Sequence, residues 1–84
     1  MLGENKPNQF NLATMLNYQL TMNSQLSLKI YDALGREVST LVNEVKDAGY
    51  YSVQFDGTKL SSGIYFARLT SNGRTQIRKL QLMK

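Results

Sequence analysis

Apolar and polar residues alternate along most of this chain, and no stretch of helical period runs long enough to compete. The clearest run is Leu26 to Asp32, with Leu26, Leu28 and Ile30 on one face and Ser27, Lys29 and Tyr31 on the other. That is the pattern of a half-buried strand. Thr14 to Leu20 repeats it, with Leu16, Tyr18 and Leu20 on the apolar face. So does Tyr50 to Phe55, through Tyr51, Val53 and Phe55, and Ile64 to Thr70, through Tyr65, Ala67 and Leu69. Glu37 to Asn43 carries Val38, Leu41 and Val42, an imperfect alternation that predicts a bulge or an edge position. A short helix over 34–43 is the alternative there, disfavoured by its Val and Thr content and by the lack of a cap signal. The last strand is expected over Arg74 to Met83, with Leu80 and Leu82 inward and Ile77 on the opposite parity, which suggests a bulge near Arg78.

Turn chemistry separates these runs. Thr21 to Ser24 and Lys46 to Gly49 read as turns. In Asp32-Ala33-Leu34-Gly35-Arg36 the Asp side chain can bond the backbone two residues on, and Gly35 supplies a positive φ. Asn72-Gly73 is the strongest short hairpin signal and predicts a type I′ turn. Asp56 to Gly63 is a polar crossover with one apolar residue, Leu60, placed to plug the end of a core. Six strands joined by short connections, with a seventh short one near Gln9–Asn11, predict an all-β fold: an antiparallel β-sandwich of about seven strands. A small closed barrel is the alternative. The expected core is Leu28, Ile30, Val53, Phe55, Tyr65 and Leu69, in a single domain over 1–84 led by a linker at 1–8.

Composition narrows the chemistry. The 84 residues include no Cys and no His, which removes disulfides, thiol nucleophiles and the usual catalytic base. Ser61-Ser62-Gly63 has no base beside it, no Gly-rich phosphate loop is present, and Asp32 and Asp56 suit turns better than acid catalysis. No enzyme activity and no cofactor are expected; Asp32, Asp47 and Asp56 lack the dense spacing of a calcium loop. No apolar run approaches the ~20 residues of a spanning helix, so no membrane insertion is expected. Charge is uneven. Residues 1–56 hold four basic and six acidic residues, whereas 57–84 hold six basic and none acidic. Such asymmetry fits a surface that meets phosphate or acidic sugar, or a solvated strand face that resists aggregation, and alternation of the basic residues with apolar ones favours the second. Tyr31, Tyr50 and Tyr65 with Arg68, Arg74 and Arg78 form the one nucleic-acid-like set, but Tyr is also an ordinary strand residue, and no nucleic-acid partner is expected.

One family resembles nearly the whole chain. Leu26 to Val38, which reads LSLKIYDALGREV, is similar to the "v-x-l-x-v-Y-D-x-x-G-k-e-V" block of the type A C-terminal sorting domains of the Bacteroidetes type IX (Por) secretion system. Thr40 to Glu44 and Ala48 to Asp56 resemble the blocks that follow. Leu60-Ser61-Ser62-Gly63-Ile64-Tyr65-Phe66-Ala67-Arg68-Leu69 resembles the most specific signature, "L-s-s-G-i-Y-f-x-k-L", and Arg78 to Lys84 resembles the closing strand with its terminal Lys84. Gln9 and Leu12 stand where that family carries Pro, which restores two N–H donors and leaves the opening segment able to pair as a strand.

The resemblance implies an immunoglobulin-like sandwich and a non-catalytic sorting module at the end of an exported cargo protein. Its implied partners are the type IX outer-membrane translocon, a sortase-like protease and an upstream cargo domain. Its implied destination is the cell surface or the medium, reached through the periplasm. Gly35, Leu60, Gly63, Ile64, Tyr65, Arg78, Lys79 and Lys84 are the recognition candidates it points to. An immunoglobulin-like structural or interaction domain, of the flagellar hook-capping or carbohydrate-binding kind, is the alternative. The opening and closing strands are expected at sheet edges, where free backbone groups allow a homodimer and where the closing strand could be read by strand addition.

Overall fold

The computed structural model describes residues 9–10 and 13–83. No helix occurs among them. They form seven strands: β1 (Gln9–Phe10), β2 (Ala13–Leu20), β3 (Ser24–Asp32), β4 (Glu37–Lys46), β5 (Gly49–Asp56), β6 (Gly63–Ser71) and β7 (Arg74–Leu82). Residues 34–43 are therefore turn and strand, not helix. One sheet has the order β1-β7-β6-β3-β4, and the other is the pair β2-β5. The chain is an all-β sandwich. Two hairpins that are continuous in sequence, β3-β4 and β6-β7, lie side by side in the large sheet, whereas β2 and β5 meet across them in the small one. A pair facing a sheet of this order, with a short first strand running parallel to the last, is immunoglobulin-like connectivity.

The core follows the alternation. Leu16, Leu28, Ile30 and Leu80 are fully buried, and Leu26, Phe55 and Leu82 nearly so. Tyr65, Ala67 and Leu69 of β6 join them, as do Tyr18 and Leu20 of β2. Val53 differs from expectation. It is only half-buried and packs against the rim of the core, because β5 has no neighbouring strand on its outer side to cover it. Leu60 packs against the same core from the crossover, as its isolation in a polar loop predicts.

Bulges explain the broken pattern of β4. Its pairing with β3 shifts register between Leu28 and Lys29 and again between Ile30 and Tyr31. The first shift skips Leu41, so Leu41 and Val42 both pack against the core although they are adjacent. β4 is also a sheet edge, so both readings of its irregularity hold. No bulge occurs near Arg78: β6 and β7 pair without a shift from Gly63↔Leu82 to Ser71↔Arg74. Ile77 simply faces outward and is 56% exposed. The closing strand is covered only at its end, where β1 lies beside it through Gln9↔Gln81 and Phe10↔Leu82; among the described residues its 74–80 stretch keeps the open edge that was expected. The opening segment thus does pair as a strand, within the chain; Leu12 lies outside the described residues.

Leu28→Ala should cost about 2–5 kcal/mol of folding stability, because a fully buried side chain on the central strand leaves a cavity. Ile77→Ala should stay within about 0.5 kcal/mol, since its side chain stands in solvent. Urea denaturation of the two variants measures the difference directly.

Candidate functional site

Two loops lead to strand termini and are built by the residues that carry the resemblance. At the β3-β4 turn, Asp32 Oδ1 accepts the backbone N–H of Leu34 and of Arg36, each at 2.9 Å. Its Oδ2 meets Arg36 Nε at 2.8 Å, and Gly35 N–H donates to the Asp32 carbonyl at 3.0 Å. Gly35 completes the turn with φ of 84°, which is strained for a side-chain-bearing residue. Leu34 at the tip is 79% exposed. The Asp32 carboxyl titrates below its usual range, first because Arg36 N–H donates to it and further because the guanidinium lies beside it. The same turn geometry accounts for Asp56, whose Oδ1 accepts the N–H of Thr58 at 2.9 Å. Among the described residues no three carboxylates gather into a metal-binding group.

The second loop is the β5-β6 crossover. Tyr65 enters β6 with its ring buried and edge-on to Phe55, centroids 6.4 Å apart. Its hydroxyl turns back and donates to the Ser61 carbonyl at 2.7 Å. This is a tyrosine corner, the hydrogen bond that pins an inter-sheet crossover to the strand it feeds in immunoglobulin-like sandwiches. Leu60 N–H closes the preceding turn on the Gly57 carbonyl at 3.0 Å. Gly63 sits between these anchors with φ of 155°, and nothing lies within 4 Å of where a Cβ would be. Backbone conformation, not crowding, therefore selects glycine there. The string Leu60 to Tyr65 is one device: a plug, a turn, a glycine that redirects the chain and a tyrosine that locks it.

The sequence matches the secretion system C-terminal sorting domain family over residues 7–83. The chain belongs to that family. No curated protein and no solved structure matches it. The family assignment covers the type IX secretion sorting signal, so the resemblance drawn from the motifs holds across almost the entire chain.

The seven candidate positions among the described residues of this sorting domain do not form one patch. Gly35 is at the β3-β4 turn. Leu60, Gly63 and Tyr65 belong to the crossover, and Ile64 is half-buried on the outer face of the large sheet. Arg78 and Lys79 are both exposed on β7 but point to opposite faces, since Arg78 pairs with the inward Ala67 and Lys79 with the outward Phe66. Lys84 lies outside the described residues. The aromatic and basic set also divides. Tyr65 is in the core, Tyr50 stands on the outside of the small sheet, and Arg74 and Arg78 share the parity of the core residues. Tyr31 and Arg68 alone meet, the guanidinium 6.0 Å from the ring centroid. Missed by sequence reasoning was the outer-face neighbourhood they belong to, because it takes the β3-β6 and β6-β7 registers to assemble it.

Two outcomes test this geometry. Gly63→Ala should already cost about 1–3 kcal/mol although its methyl would touch nothing, because the penalty is in φ; thermal unfolding checks it. The Asp32 carboxyl is held below its unfolded value, so its contribution to stability is full above the ordinary carboxylate range near 3.8. It disappears as pH falls through the lower folded value. Asp32→Asn should therefore flatten the acid limb of the stability profile below about pH 4 and leave the neutral-to-alkaline limb unchanged in slope.

Proposed function

We propose that this domain acts as a folded address: the type IX outer-membrane translocon recognises it on a cargo protein in the periplasm and passes that cargo to the cell surface or the medium. The observation that carries the reading is the family match over residues 7–83. Its most specific motif, moreover, builds the crossover that holds the two sheets together. An address read as a shape needs a rigid fold more than it needs a reactive group. The motif residues Leu60, Gly63 and Tyr65 act in this reading by making the shape, and the exposed residues of β7, Arg78 and Lys79, act by being displayed on it. Removal of the domain by a sortase-like protease after export, and pairing of two copies through the open edges of β4 or β5, belong to the same proposal. Catalysis has no part in it.

Truncation of the chain after Gln76 is a poor test, because it discards Leu80 and Leu82, both buried in the core. Fusion of residues 5–84 to a periplasmic reporter in a type IX-competent host is the better one. The reporter should appear outside the cell with the intact domain. It should stay in the periplasm when the translocon is deleted, or when Leu28→Ala unfolds the domain. Export that persists without the translocon, or retention of a demonstrably folded fusion in the competent host, would overturn the reading.

A further inference from the structure

The outer face of the large sheet is not the neutral solvated surface that strand alternation implies. Two rows of side chains cross β3, β6 and β7 there. One is Tyr31, Phe66 and Lys79, and the next is Lys29, Arg68 and Ile77, each residue directly opposite its neighbour in register. At strand spacing the patch is roughly 10 Å across and about 7 Å along the strands. An open groove of about 420 Å³ runs over it, floored by Tyr31, Phe66 and Ile77 and reaching the Asp32–Gly35 turn. Ile77 is 56% exposed on this face.

The charges of this patch are unbalanced. Glu37 reaches Lys29 at 3.3 Å, and Thr40 and Lys29 together hold its carboxyl below the usual range. Neither Arg68 nor Lys79 meets a carboxylate among the described residues; Arg68 lies over the Tyr31 ring instead. Lys29 and Arg68 are opposed across β3 and β6, a like-charge juxtaposition that works against the sheet. The source of the imbalance is in the primary structure, since no acid occurs from Gly57 onward. If protection against edge aggregation were the only purpose, the cations would belong on β4, on β1 and on the 74–80 stretch of β7 that β1 leaves uncovered among the described residues. Arg68 is instead on β6, in the middle of the sheet, beside the exposed Ile77 and the half-buried Tyr31 and Phe66.

We propose that this face docks an acidic protein segment, in which carboxylates meet Arg68 and Lys79 while an apolar side chain between them lies on Phe66 and Ile77. An apolar floor with cations at its margin fits a peptide of alternating acidic and aliphatic residues better than a bare phosphate, which has nothing to place on Phe66 or Ile77. This deepens the sorting reading by stating the chemistry of the partner. It rests on that reading only for the partner's place in the export machinery; binding by the purified chain is measured separately from export.

The test is a nuclear magnetic resonance titration of the isotopically labelled full chain with a short end-capped peptide alternating glutamate and leucine. Amide shifts should concentrate at Lys29, Tyr31, Phe66, Arg68, Ile77 and Lys79. Combining Arg68→Glu with Lys79→Glu should weaken binding at least about tenfold, whereas Lys59→Glu with Arg74→Glu, an equal change of charge elsewhere, should leave it within about twofold. The first variant should stay folded, because a glutamate at 68 would face Lys29 and relieve the like-charge pair; its spectrum verifies this. Ile77→Ser should weaken binding several-fold. Equal loss in both double variants, or shifts scattered over the surface, would reduce the effect to net charge and overturn the proposal. So would vesicles containing lipopolysaccharide, or inorganic phosphate, perturbing these residues while the peptide does not, since the ligand would then be an anionic glycolipid or phosphate and not a protein.

Discussion

Two strands have to cover five. The hydrophobic contact between the β2-β5 pair and the larger sheet is the interaction on which the rest depends, since a chain of this length without cysteine has no covalent staple to replace it. Coverage is complete at Leu26, Leu28 and Ile30 of β3, at Ala67 and Leu69 of β6, and at the Leu80–Leu82 end of β7. Beyond that footprint, inward parity does not mean burial. Arg74 and Arg78 share the parity of Leu80 and Leu82 yet stand exposed, and Glu44 shares that of Leu26 with the same result. Sequence places its charged residues accordingly: apolar where the small sheet reaches, charged where it does not.

The crossover from β5 to β6 carries the chain from one sheet to the other, and its motif gives that passage a defined geometry. Leu60 seals the core from outside both sheets, Gly63 takes a backbone angle that other residues rarely adopt, and the Tyr65 hydroxyl ties the strand to the loop four residues upstream. A family defined by this string is thus defined by a structural joint. The Asp32–Arg36 turn works by the same economy at the same end of the large sheet, since Asp32 pairs with Tyr65 where β6 begins. A single carboxylate satisfies two backbone donors and a guanidinium there. In both loops the recognisable letters stabilise a shape, and the surface available to a partner lies on the strands that run away from them.

That division explains the uneven legibility of the sequence. Period-2 alternation, an Asx turn at Asp32, positive φ at Gly35 and the Asn72-Gly73 hairpin are local properties, and each is realised as read; Asn72 and Gly73 have φ of 51° and 76°. Leu41 and Val42 were half-legible: the adjacent apolar pair announced an irregularity but not which strand position it would occupy. The candidate positions Arg78 and Lys79 looked like one basic pair because they are neighbours in sequence. In a strand, neighbours face opposite ways.

By itself, then, the sequence determined the strands, their inward faces, their turns and the family to which the chain belongs, because these reside in spacings of a few residues. Only the tertiary structure decided that β2 leaves its sequence neighbour β3 to pair with β5, and that β1 runs parallel beside the end of β7 and covers it at Gln81 and Leu82. It also decided that Val53 would stay half-open and that Tyr31, Phe66, Arg68 and Ile77 would share one face. Those outcomes rest on pairings between residues far apart in the chain. No local periodicity encodes which strands will meet; that is settled by how much apolar surface each arrangement can cover.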